Sequence, residues 1–164
     1  MISLIKQVPI GIACGTGQAL FTFYPRKKIY DLTDVKYTDE YQQHIQDVFN
    51  ATVKGPIIEE CAFRGVLQPK ITHLCASDFP QYARCPWIKI PYPNIMGIIF
   101  TAVVFGVLHE SNYENGKIPA IGTHIFSGAI YGFLREKFGL VTSIFAHMAH
   151  NATVHKIDEL VKKP

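Results

Sequence analysis

Four apolar stretches, at about residues 48–68, 95–109, 118–134 and 140–154, each carry ionisable side chains inside an otherwise greasy run. Burying an unpaired charge is costly, so a chain of this kind must turn those groups toward one another. Glu59 and Glu60 stand side by side in Pro56-Ile57-Ile58-Glu59-Glu60-Cys61-Ala62-Phe63-Arg64-Gly65-Val66-Leu67. His109 ends the second stretch, His124 lies inside the third, and His147 and His150 lie inside the fourth. Acid, base and amide groups threaded singly through apolar helices suit a buried reaction centre better than a solvated surface.

The 164 residues suit one domain, 48% of them apolar. Charged residues make up 18%, against a typical ~25%, which leans toward a membrane protein. The mean hydropathy of +0.13 is low for a chain wholly in lipid. A net charge of +3 with no basic stripe argues against nucleic acid as a partner. Cys14, Cys61, Cys75 and Cys85 form no CxxC pair. Cys75 and Cys85 flank one loop and could be bridged in an oxidising compartment, while Cys61, beside the glutamates, reads as core.

The chain divides into an N-terminal membrane segment with a polar connector (1–47), a helical core (48–155) and a basic C-terminal tail (156–164) carrying Lys156, Lys162 and Lys163. Residues 1–24 are mildly apolar and end in Pro25-Arg26-Lys27-Lys28. The basic cluster follows the apolar part, the wrong order for a signal peptide, so this is read as a first membrane segment stopped by a basic anchor. The connector should hold an amphipathic helix starting near Thr38-Asp39-Glu40. Residues 70–94 read as a loop because of Pro80, Pro86, Pro91 and Pro93, and Tyr82, Trp87 and Tyr92 suit a membrane interface. Gly128-xxx-Gly132 suits close helix packing. The expected fold is all-α, a polytopic membrane domain with about four core transmembrane helices plus the short N-terminal segment. The spans are at or below the ~20 residues that cross a bilayer, so length alone also permits a soluble bundle. Basic residues divide almost evenly between the two sides, which leaves orientation unread.

Positions four apart share a helix face. Glu60 and Arg64 are so placed and should neutralise each other, leaving Glu59, pointing about 100° away, free to act as a general base. His147 and Asn151 are also four apart, and their donors could converge on a developing oxyanion; a helix-to-helix hydrogen bond would explain the same pair. His109 could be a helix cap, and His124 could bond a neighbouring helix. Glu59, His109 and His147 are zinc-type ligands if their helices converge, although no HExxH occurs. There is no GxSxG and no phosphate-binding glycine loop, and the helix of Cys61 supplies no histidine to activate it.

These residues resemble the motif set of the CAAX-prenyl type II endopeptidase and bacteriocin-processing (CPBP, or Abi) family of intramembrane glutamic proteases. EExxxR matches Glu59-Glu60-Cys61-Ala62-Phe63-Arg64, FxxxH matches Phe105-Gly106-Val107-Leu108-His109, and HxxxN matches His147-Met148-Ala149-His150-Asn151. Phe126-xx-Ala129-xx-Gly132-x-Leu134-Arg135-xxx-Gly139 is similar to the family's third core helix. The likeness covers about residues 48–155. It implies four core helices around a cavity, with Glu59 activating water helped by His109, His147 and Asn151 forming the oxyanion site, and Glu60 and Arg64 organising the helix, Glu60 sharing part of the catalytic load. It implies no metal or other cofactor.

The leading expectation is a multi-pass membrane endopeptidase whose substrate is a prenylated C-terminal tail, a bacteriocin-like peptide or another membrane-proximal peptide, with the lipid bilayer as its other partner. The alternatives are a catalytically inert membrane protein that binds a peptide or lipid tail, a zinc-dependent membrane hydrolase, and a soluble helical bundle.

Overall fold

The computed structural model describes residues 3–79 and 83–161; Pro80, Tyr82, Lys162 and Lys163 lie outside them. The described residues are all-α apart from one small strand pair. Helix α1 spans Leu4–Leu32, passing through Pro9, Pro25 and the basic cluster Arg26-Lys27-Lys28. The turn beyond Pro25 is held by pairs four residues apart: Lys27 Nζ lies 2.8 Å from Asp31 Oδ2, and the Arg26 guanidinium lies over the Tyr30 ring at 5.7 Å. Strand β1 (Lys36–Tyr37) and helix α2 (Asp39–Gln46) form the connector. The helix starts where its acidic first turn predicts; the strand has no signal at two residues in length.

Residues 50–75 form one continuous helical rod of changing pitch: a π-helical stretch Asn50–Lys54, α3 (Gly55–Glu60), a second π-helical stretch Cys61–Leu67, and α4 (Gln68–Cys75). Pro56 and Pro69 each stand in the first turn of an α segment, where proline is best tolerated. The helix therefore continues to Cys75, and the loop expected from residue 70 begins later, after a short 3₁₀ turn at Ala76–Asp78. The pitch changes have a consequence. Thr52, Pro56, Glu60, Arg64 and Gln68 are all buried, at a strict spacing of four. On a pure α-helix such a series drifts about 40° per step; the wider π turns wind it back, so one polar stripe faces inward along the whole rod.

Three long helices complete the fold: α5 (Tyr92–Leu108), α6 (Lys117–Phe138) and α7 (Leu140–Val161). Helix α7 continues beyond the expected core end at 155, and Lys156 pairs with Glu159 at 2.9 Å in its last turns. Helix α1 packs along α7, α5 along α6, and the 50–75 rod crosses α5 and α7. A Cβ at Gly15 would lie 2.0 Å from the Ala146 carbonyl oxygen, so α1 and α7 touch backbone to backbone. Gly128 and Gly132 allow the expected close packing, since a Cβ at Gly128 would lie 3.2 Å from the Ala102 Cα and one at Gly132 3.1 Å from Ile98 Cγ2; their carbonyls also accept from Arg64 Nη2 at 2.8 Å and Gln68 Nε2 at 3.3 Å. Strand β2 (Tyr113–Asn115) pairs antiparallel with β1, setting Tyr37 opposite Tyr113 and tying the connector to the end of α5.

The packing is inverted relative to a water-soluble bundle. Buried positions hold Glu60, Arg64, Gln68, Thr101, Thr142, Ser143, His147 and His150, with alanines as the common apolar filler. The outside carries Ile57, Ile58, Val66, Met96, Ile99, Phe100, Val103, Val107 and Leu108, with Ile58 58% exposed. A soluble protein rarely shows so large an apolar face. Tyr92–Asn112, 21 residues, is the one stretch among the described residues apolar and long enough to cross a membrane by composition. All four cysteines are free thiols. Cys61 is exposed on the apolar face of the rod, not in the core as its neighbours suggest, because Glu60 takes the inward position.

Candidate active site

The Glu60 carboxylate has no exposed surface and three polar partners. It accepts from Ser143 Oγ and from His147 Nδ1 (3.1 Å), and Arg64 Nε lies 3.4 Å from its Oε2. Arg64, equally buried, has its guanidinium carbon 4.7 Å from the centre of the Phe105 ring and 5.8 Å from that of Tyr131. The expected Glu60–Arg64 pair is therefore present, and a second link, from Glu60 to His147, joins the rod to α7. The Tyr131 carbonyl oxygen lies 3.0 Å from the same Ser143 Oγ and competes for its single proton.

Glu59, one residue earlier, faces a different surrounding. Its side chain is 34% exposed and lines a cavity of about 1060 Å³ that His109, His124, His147, His150 and Asn151 also line. It is not solitary: Glu59 Oε2 lies 4.0 Å from His109 Nε2 and 3.9 Å from His147 Nε2. Both imidazoles have fixed orientations. His109 Nδ1 lies 2.6 Å from the Phe105 carbonyl, which can only accept, so Nδ1 carries a proton and Nε2 faces Glu59. His147 Nδ1–H donates to Glu60, and the ring stacks on Tyr131 at 4.5 Å between centroids. Phe105 packs edge-on against His147 at 5.8 Å and against Phe63 at 5.3 Å.

Asn151 Nδ2 donates to the Ala51 carbonyl at 2.9 Å, bonding α7 to the first π-helical stretch and leaving one amide N–H for another acceptor. His124 stacks on His109 at 4.1 Å, and its Nε2 lies 2.7 Å from the Tyr113 hydroxyl. Among the described residues no set of three His, Cys, Asp or Glu side chains is arranged to hold a metal ion. Sequence reasoning missed Ser143 as a partner of Glu60, Tyr131 beneath His147, and Gln68. Only Gln68 carried a signal, four residues beyond Arg64 in the buried series.

A family model described as type II CAAX prenyl endopeptidase Rce1-like matches residues 42–153. The chain belongs to this family. No curated protein and no solved structure matches it. The Rce1-like span contains all six motif residues, Glu59, Glu60, Arg64, His109, His147 and Asn151, and leaves out α1 and β1. The family is one of membrane proteases acting on prenylated substrates, which fits the inverted packing of the bundle.

Proposed function

We propose that the chain is a multi-pass membrane endopeptidase that hydrolyses a peptide bond near a prenylated C-terminus with water activated by Glu59 and His109 and the oxyanion held by His147 and Asn151. The observation that carries this reading is the convergence of His109 Nε2 and His147 Nε2 on one oxygen of Glu59 at the cavity wall. Separations near 4 Å are too long for direct hydrogen bonds and suit a bridging water. A water has two protons to donate, so if it touches all three atoms, one of them must itself carry a proton. Glu59 takes a proton from the water as its oxygen attacks the carbonyl carbon. The C–N bond then breaks, and Glu59 returns the proton to the departing amine nitrogen. His147, carrying both ring protons, donates from Nε2 to the oxyanion, while Glu60 holds its Nδ1–H as the carboxylate does in a Ser-His-Asp site. The free N–H of Asn151 is the second donor.

Length supports several spans. Helices α6 and α7 have 22 residues each and α1 has 29, so each reaches or exceeds the ~30 Å hydrocarbon core at 1.5 Å per residue. In α7 the polar residues Ser143, His147 and His150, which lower its hydropathy, are buried inside the bundle. Trp87, 90% exposed, sits on the loop before α5, where an interfacial aromatic belongs.

The test is cleavage of a quenched fluorescent prenylated CAAX peptide by protein in lipid nanodiscs, with products read by mass spectrometry. A cut inside the last four residues, unaffected by chelator, is expected. No cut, or a cut abolished by chelator and restored by zinc, would overturn the proposal.

A further inference from the structure

The cavity extends from the reaction centre to the C-terminal half of α1, which the family match leaves out. Its lining includes Glu40, Glu59 and Asp158 but, among the described residues, only one lysine or arginine, Arg26. Arg26 is half-buried, and its guanidinium is steadied over the Tyr30 ring, whose hydroxyl hydrogen-bonds Thr123 Oγ1 at 2.9 Å. Its neighbour Lys27 is paired with Asp31, whereas Arg26 makes no ion pair among the described residues. Its charge is felt inside the cavity: burial pushes the Tyr37 phenol up to about 12, and Arg26 is the foremost charge pulling it back. A positioned, partly desolvated guanidinium without a carboxylate is a ready fork for a ligand's own carboxylate.

We infer that Arg26 anchors the free C-terminal carboxylate of the peptide substrate. The inference rests on the peptidase reading and extends it to the substrate's last atom. A CAAX sequence is the C-terminus of its protein. A cut inside four residues leaves at most three between the scissile bond and the terminal carboxylate, on the order of 10 Å of extended chain. The cavity therefore offers the three things such a tail needs: an apolar wall (Phe63, Leu108 and Phe126), a reaction centre, and one cation for the terminus. A lipid phosphate could supply the same anionic oxygens, and the experiment separates the two sources.

Binding of a fluorescent prenylated CAAX peptide, as free acid and as C-terminal amide, is measured on the Glu59→Gln protein in phosphatidylcholine nanodiscs. The same measurement is then made after adding Arg26→Gln or Arg26→Lys. The acid should bind about tenfold more tightly than the amide, as a charge-assisted contact requires. Arg26→Gln should bring the acid down to the amide and leave the amide unchanged, and Arg26→Lys should restore part of the preference. Equal binding of the two peptides to the Arg26 protein, a loss with Arg26→Gln that is the same for both, or no binding of either would overturn the anchor. An Arg26 effect seen only in discs containing phosphatidylserine, and equal for acid and amide, would assign the residue to a lipid headgroup and overturn it as well. Cleavage by the Glu59 protein is followed in parallel. Acid preference without cleavage would sink the peptidase reading and leave the anchor standing.

Discussion

Glu60 has no exposed surface and three protein partners, whereas Glu59, one residue earlier, is a third exposed and meets two imidazole nitrogens only at about 4 Å. One peptide bond separates a carboxylate bound by three protein side chains from one that faces the cavity. Glu60, Arg64 and Ser143 hold His147; Glu59, His109 and the free edge of His147 face the cavity. The helix makes this division possible because adjacent residues point about 100° apart, and the π turns keep the inner stripe aligned over five positions.

Substitutions on the two sides should therefore fail differently. The largest effect is expected from Glu59→Gln, a loss of peptide cleavage on the order of 10²–10⁴-fold with an unchanged melting temperature in detergent. Next comes Arg64→Ala, which strands the buried Glu60 charge and should cost about 3–5 kcal/mol, read as loss of folded protein by size exclusion and thermal unfolding. If Arg64→Ala unfolds no more easily than wild type, Glu60 is not the structural half of the pair. A smaller effect is expected from Ser143→Ala. Removing one hydrogen bond to a charged group costs about 1.5–3 kcal/mol and should lower kcat by loosening His147 while leaving KM nearly unchanged. The smallest is Ile58→Ala on the apolar exterior, within about 0.5 kcal/mol in nanodiscs; a large loss there would mean that the face is covered by protein and not by lipid.

The site was legible where its logic is local. Glu60 and Arg64 are one helical turn apart, and the match to three spaced motifs brought His109, His147 and Asn151 together before any helix was placed. What stayed hidden depends on contacts between distant segments. The Glu60–Ser143 bond spans 83 residues, and no spacing rule reports it. Asn151 uses one amide donor on Ala51, 100 residues away, a bond that only packing reveals and that leaves its second N–H for the cavity. The inward turn of Glu60 put Cys61 outside, against the simple idea that an apolar neighbourhood means core. Helix α1 continues past Pro25, held by side-chain pairs beyond the proline, and that extension carries Arg26 to the cavity wall. The Gly11–Gly15 spacing that seats α1 on α7 was present in the sequence and is of the same kind as Gly128–Gly132.

The division between the two carboxylates is tested most directly by single-turnover cleavage of a prenylated CAAX peptide with wild-type protein and Glu59→Gln in nanodiscs, at matched folded fraction and with chelator present. The account predicts cleavage by the wild type and a fall of at least about 100-fold in the variant, with His147 still held by Glu60 and the melting temperature unchanged. A variant that cleaves at the wild-type rate would contradict it, because the water would then be activated by something other than Glu59.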